Sequence, residues 1–385
     1  MCVRTIYLDH NATTPLAPEI RDVMVSALEE EWGNPSSIHH LGQRARSLLD
    51  DARARIASVF SCRPSELIFT SGATESTNLA VFGAARALRD KGRHIITTAI
   101  EHHAVLQPCQ YLAKNEGFDL TILPVDSEGL VSIDSLLDAF RDDTIFVSIM
   151  AANNEIGTIQ PVADLGQACQ ERGVCFHTDA VQWFGKLPFS NISDFNADLV
   201  SLCPHKFYGP KGAGLLYSRS PFNPSPFVLG GAHEHERRAG TENLSALLGM
   251  AKSIELFVPS PVFSRSSILP LTEQLISSID SLDDAFFLGV RCASSRLFNT
   301  ASFYFPSHDS ISLLSALDID GICASSGSAC SSGSVSPSHV VSSLGLCSDS
   351  SSSLVRFSLG KDSSFSDISA VFSSISSFLS RSSSS

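Results

Sequence analysis

Three short segments combine residue types that can act together on an amine or a carbonyl. In the first, an apolar run at 67–70 passes into Ser71, Gly72, Ala73 and Thr74 and then into a helical pattern. Free N–H groups and the partial positive charge of a helix start favour a phosphate there. The plainer alternative is an ordinary N-cap by Ser71 or Thr74, with Glu75 complementing the helix dipole. The glycine spacing fits neither a Walker loop nor a dinucleotide fingerprint. The second segment ends a run at 174–177 with Asp179, in the place where open α/β sheets hold their ligands. A buried carboxylate needs a partner, either the start of the following helix or a cationic ring nitrogen. In the third, Lys206 follows the run 198–202, preceded by Cys203, Pro204 and His205 and followed by a Gly-Pro-Lys-Gly turn. A strand-end lysine can snorkel to solvent; in a partly desolvated pocket it becomes a nucleophile that forms Schiff bases. Phosphate loop, strand-end aspartate and Schiff-base lysine, in that order, suggest pyridoxal phosphate, a ring that acts as an electron sink while its nitrogen stays protonated.

These residues need a sheet to hold them. Short β-branched or aromatic runs recur at 67–70, 94–97, 120–123, 144–149, 174–177 and 198–202, with helix-length patterns between them, as at 132–140 and 162–172. The alternation predicts an α/β domain with a mostly parallel sheet covered on both faces. After position 253 serine makes up about a third of the residues, a bias that can signal disorder. Phe365, Ile368, Phe372, Ile375 and Leu379 nevertheless keep helical spacing, the apolar seam of a helix whose outer face is serine. The reading is a folded but weakly held small domain that frays at 381–385.

A length of 385 residues fits one large domain and a smaller one. The net charge of −13 excludes bulk attraction to nucleic acid or an anionic membrane. Ten cysteines are scattered, with no C-x-x-C pair, no basic-then-apolar leader and no membrane-length apolar run. This combination predicts a cytoplasmic enzyme with reduced thiols.

Further motifs carry a resemblance over nearly the whole chain: Tyr7-Leu8-Asp9-His10-Asn11-Ala12-Thr13-Thr14-Pro15, Gly33-Asn34-Pro35-Ser36-Ser37, Glu101-His102-His103-Ala104-Val105, Asn153-Asn154-Glu155-Ile156-Gly157, Arg238-Ala239-Gly240-Thr241, Ser325-Ser326-Gly327-Ser328-Ala329-Cys330 and Val355-Arg356-Phe357-Ser358-Leu359-Gly360. In this order, with the three segments above, they resemble the pyridoxal-phosphate-dependent cysteine desulfurases of the NifS/IscS type, in the class V aminotransferase family. The resemblance implies a fold-type I transferase: a large domain, 19–258, with a mostly parallel seven-stranded sheet, and a small α+β domain joining 1–18 to 259–385. It implies that Lys206 carries the cofactor as a Schiff base and that Asp179 pairs with the pyridine nitrogen. Gln182 and Asn154 would contact the phenolic oxygen or ring region, and His102 would stack on the ring and shuttle protons. Ala73, Thr74 and His205 would cradle the phosphate, with Thr241 reaching the phosphate of a neighbouring subunit in a homodimer. Asn34 and Arg356 would hold the substrate carboxylate.

The implied reaction converts L-cysteine to L-alanine and leaves a persulfide on Cys330, for donation to an iron–sulfur scaffold or thiolation protein. Cys330 stands in a Ser/Gly/Ala stretch at about 325–338, as expected of a mobile surface loop. Cys62, Cys109, Cys169, Cys175, Cys292, Cys323 and Cys347 are read as small buried hydrophobes. His39, His40, His233, His235 and His308 would bind a metal only if unrelated loops converged. No resident metal is expected, Cys330 being at most a transient ligand of an iron–sulfur cluster. Where the family usually has a serine that binds the phosphate, this chain has Cys203, a weaker hydrogen-bond donor, and Pro204 beside it removes an N–H. The alternatives are a selenocysteine lyase or aminotransferase on the same scaffold, or an idle paralogue kept as a scaffold.

Overall fold

The structure is a computed structural model that describes residues 4–327, 338–346 and 354–382. After a short strand β1 (Ile6–Tyr7), the large sheet is made of β2 (Leu67–Thr70), β3 (His94–Thr98), β4 (Asp119–Leu123), β5 (Thr144–Ser148), β6 (Cys175–Asp179), β7 (Leu199–Leu202) and β8 (Gly214–Ser218). Its order is β2-β8-β7-β6-β5-β3-β4. β3 to β7 pair in parallel, whereas β8 runs antiparallel to both β2 and β7. β8 is the strand that the apolar runs leave out; it is short, opens on a glycine and follows a turn.

Successive strand residues feed opposite faces, as the pleat requires. Ile96, Val147, Phe176, Val200 and Leu215 belong to one buried cluster. Their neighbours Ile95, Phe146, Cys175, Leu199 and Leu216 belong to the other. Helices α1 (Pro18–Glu30) and α2 (His40–Phe60) share the first cluster with helix Leu244–Phe257. Helices α3 (Ala73–Leu88) and α4 (His103–Asn115) cover the second face.

The C-terminal part adds β9 (Phe286–Leu288), β10 (Thr300–Tyr304), β11 (Ile322–Cys323) and β12 (Leu354–Ser358). β12, β10 and β9 form an antiparallel sheet, while β11 pairs in parallel with β1. The chain beyond β1 therefore reaches the C-terminal sheet, and the Ser358 N–H donates to the Leu8 carbonyl at 2.7 Å. The final helix spans Phe365–Ser382 and buries Ile368, Val371 and Ile375. Phe365, assigned to the seam by its spacing, is 54% exposed at the helix start, and Val371 is buried in the seam instead. The expected fraying from Arg381 is not seen at Arg381 and Ser382, which are helical; 383–385 lie outside the described residues.

The expectation for the cysteines is corrected in part. Cys292 is exposed in a turn, its sulfur 3.0 Å from the Ser294 hydroxyl, and Cys62 and Cys323 are only half-buried. Cys109, Cys169 and Cys175 are buried as expected, and Cys347 lies outside the described residues. The His-Glu-His-Glu run folds as a structural loop: Glu234 is buried, paired to Arg53 through both oxygens, and accepts the Phe69 N–H at 2.9 Å.

Candidate active site

The parallel strands end on one side, and there a cavity of about 420 Å³ opens. Lys206 reaches it from the turn Pro204–Lys206 that follows β7. Its amine donates to the backbone carbonyls of Asn11 at 2.8 Å and Ala12 at 2.7 Å. Burial lowers its pKa, assisted by Arg356 and opposed by Cys203, Asp179 and Asp9. Asp179 ends β6, buried, and accepts the Val181 N–H at 3.0 Å. Burial pushes its carboxyl up to about 6, against that N–H and Lys206. A carboxylate so desolvated gains most from a cation placed against it.

Phosphate chemistry has a fitting corner. Helix α3 begins at Ala73 with Gly72 as N-cap and no side-chain cap. The capping alternative for Ser71 or Thr74 fails, because the Ser71 N–H and hydroxyl both turn onto Glu75. The helix start is left for a ligand. Gly214 of β8 runs against it so closely that a Cβ there would lie 2.4 Å from the Gly72 carbonyl carbon. His205 also lines the cavity, its Nδ1 3.1 Å from the Thr13 hydroxyl, and burial pulls its pKa down to about 3. Cys203 does not line the cavity. It is fully buried behind the cradle with its sulfur against the Ala73 N–H, and burial pushes its thiol up to about 12.

His102 caps α4, its Nδ1 accepting the Ala104 N–H at 3.1 Å. That bond leaves the ring proton on Nε2. Burial, with Lys206 and neighbouring histidines, lowers its pKa to about 4, so the ring is neutral at neutral pH. Gln182 lines the cavity and donates from Nε2 to the Asn11 carbonyl at 3.0 Å. Arg356, on β12, donates to Asp9 at 2.7 Å and to the Asn154 carbonyl at 2.9 Å. Among the described residues its buried Nε has no partner.

Ala73, Thr74, His102, Asn154, Asp179, Gln182, His205, Lys206 and Arg356 thus meet in one cavity. Asn34 and Thr241 are exposed and do not line it, and Cys330 lies outside the described residues. Three participants had no role from the sequence. Asp9 and Asn11 belonged only to a motif, although they hold Arg356, the cavity amine of Lys206 and the buried amine of Lys186 behind it. Lys186 was passed over; the signal was a lysine placed among Trp183, Phe184 and Phe189 just after the strand-end aspartate.

A desolvated strand-end carboxylate, an uncapped helix start and a buried amine fit pyridoxal phosphate: counter-ion, phosphate cradle and carbonyl-binding nucleophile. Comparison with known proteins agrees. Residues 6–371 match the aminotransferase class-V family. The cysteine desulfurase IscS of Dictyoglomus turgidum is 46% identical over 358 residues, 93% of this chain and 90% of that protein. Among solved structures, a NifS-like protein superposes with a TM-score of 0.90 at 34% identity, covering 98% of this chain and 100% of the other. SspA, solved in complex with cysteine, gives 0.81 at 33% identity, covering 93% and 99%. The chain belongs to the aminotransferase class-V family, and pyridoxal phosphate is its cofactor.

Proposed function

We propose that the protein is a cysteine desulfurase that converts L-cysteine to L-alanine and stores the sulfur as a persulfide on Cys330. The convergence of Lys206, Asp179 and Arg356 on one cavity carries this reading, and the names of its relatives support it. When bound, the cofactor supplies a conjugated electron sink for the substrate carbon skeleton. Asp179 meets the cationic ring nitrogen, and Gln182 and Asn154 face the phenolic side. Ala73, Thr74 and His205 would hold the phosphate, with Thr241 of a second subunit, while Cys203 backs the cradle through the Ala73 N–H.

Arg356 binds the substrate carboxylate, its Nε, partnerless among the described residues, and the Asp9-oriented guanidinium setting the angle; Asn34 would have to come in from outside the cavity lining to share that grip. Lys206, with its lowered pKa, takes the proton from the substrate Cα and returns it. His102, neutral with a hydrogen on Nε2, donates into the cavity. The Cys330 thiolate then attacks the substrate sulfur. The carbon–sulfur bond breaks with its electron pair on carbon, protonation yields alanine, and Cys330 keeps the extra sulfur.

The acceptor is an iron–sulfur scaffold or a thiolation protein. A homodimer is supported by exposed Trp32, Ile38 and Leu229. A reducing compartment such as the cytoplasm suits the free thiols among the described cysteines; no helix among the described residues is long and apolar enough to cross a membrane. The test is sulfide release from L-cysteine with a thiol reductant, comparing wild type with Cys330→Ala. Release by wild type and almost none by the variant is expected. Equal release would remove Cys330 from its role and favour a lyase acting directly on selenocysteine or cysteine. Transamination without sulfide would make the protein an aminotransferase.

A further inference from the structure

We propose that Lys186 is a positioning residue of the cofactor site: its amine fixes the side-chain amide of Gln182 so that Nε2 is the atom offered to the cofactor's phenolic oxygen. The assignment rests on the cavity being the pyridoxal phosphate site.

Lys186 is 1% exposed, at the end of the turn that follows β6. A lysine is seldom so buried, and among the described residues no carboxylate forms an ion pair with it. Its neighbours in charge are Lys206 and Arg356, both of which, with burial, push it toward the uncharged amine, and the Cys203 thiol, which opposes them. Stability alone would put an apolar side chain against the Phe263 ring that lies 5.3 Å from this amine.

Its hydrogen bonds explain the choice. The amine donates to Asn11 Oδ1 at 2.6 Å and to Gln182 Oε1. Two side-chain oxygens therefore accept the hydrogens of this amine. The consequence falls on Gln182, whose amide has an accepting end and a donating end of nearly equal shape. Lys186 presents hydrogens and so selects Oε1. The Asn11 carbonyl presents lone pairs, and Nε2 donates to it at 3.0 Å. Two neighbours of opposite kind fix the amide, and the second Nε2 hydrogen remains for the cavity that Gln182 lines. The same Asn11 carbonyl accepts from Lys206, so Lys186, Gln182, Asn11 and Lys206 form one continuous chain of hydrogen bonds. Removing the first link frees Gln182 to turn its oxygen toward the cavity, where two oxygens would face each other.

The experiment is a double-mutant cycle on the holoenzyme with Lys186→Met, Gln182→Ala and both together. Two quantities are read: the wavelength of the bound cofactor's visible absorption band, and the affinity of cofactor-stripped protein for pyridoxal phosphate. Lys186→Met is expected to move the band in the direction of Gln182→Ala and to weaken cofactor binding about tenfold, the worth of one charge-assisted hydrogen bond. Added to Gln182→Ala, it should change neither quantity further. An unmoved band, or effects that add in the double variant, would overturn the assignment and leave Lys186 as packing. If Lys186→Met does not fold, Lys186→Gln keeps an N–H donor. It is then compared with Lys186→Leu, which has no donor: a wild-type band for Lys186→Gln and a shifted band for Lys186→Leu support the assignment, and the same band for both overturns it. Wild-type protein that binds no pyridoxal phosphate would defeat the proposed function itself, an outcome distinct from any of these.

Discussion

At the strand ends, buried Asn11 bonds to Lys186, Lys206, Gln182, Thr300 and Ser358. On the final helix, Ser369, Ser373 and Ser380 turn their hydroxyls onto carbonyls one turn earlier in their own helix. Both regions are rich in polar groups, and each leaves a buried atom without a partner among the described residues, the Arg356 Nε and the Ser376 hydroxyl. In the cavity each polar group is the partner of another from a distant part of the chain, so the removal of one strands several in a low-dielectric site. On the helix these three bonds are local and open to water, which would replace them at little cost. Among the described residues Ser277, Ser315 and Ser342 make the same local, exposed bond elsewhere after position 253, while Ile368, Val371 and Ile375 remain buried. The fold tolerates a biased composition where the bias stays on the solvent side.

Substitutions should separate the two regions by magnitude. Lys206→Ala is expected to lower kcat by about 10³-fold or more, with the visible cofactor band altered and the far-UV circular dichroism unchanged; retained activity would end the role given to the amine. Arg356→Ala should follow, with kcat/KM for cysteine reduced about a hundredfold. It should also destabilise the protein by about 3 kcal/mol in urea, because the Asp9 carboxylate and the Asn154 carbonyl lose their donor.

Asp179→Asn should move activity and stability in opposite directions. Burial raises the Asp179 carboxyl to about 6, so its contribution to the stability of the cofactor-free protein is full below about pH 4 and is lost as pH rises through about 6. The asparagine variant lacks that slope. Stripped of cofactor at pH 8 it should be more stable than wild type by about 2 kcal/mol, yet hold pyridoxal phosphate weakly. Equal stability at pH 8 would mean that the carboxylate is well solvated. The smallest effect belongs to the helix: Ser373→Ala should raise stability by about 0.5 kcal/mol and leave sulfide release unchanged. A loss of activity there would show that the serine surface contributes to function.

The same contrast explains what could be read from the sequence. Lys206, Asp179 and the Ser71–Thr74 corner are legible because each follows directly on its own strand, so local pattern gives position. Asp9 against Arg356 and Asn11 against Thr300 and Ser358 are not, because these partners lie hundreds of residues apart, and spacing along a chain says nothing about such meetings. Lys186 was hidden for another reason: its aromatic neighbours in sequence hint at burial but do not say which amides it meets. β8 escaped because an antiparallel strand inside an otherwise parallel sheet breaks the strand–helix alternation that revealed the others.

Asn11 also sets an order in time. It leaves the ribosome well ahead of two of its partners, Thr300 and Ser358, which lie 289 and 347 residues further along the chain. Most of the large sheet can pair while synthesis continues, but the segment that holds both amines lacks its Thr300 and Ser358 anchors until the C-terminal sheet has emerged. The pocket is therefore completed only after the large sheet, and a chain stalled before β10 would carry the lysine without the full floor that makes it a site.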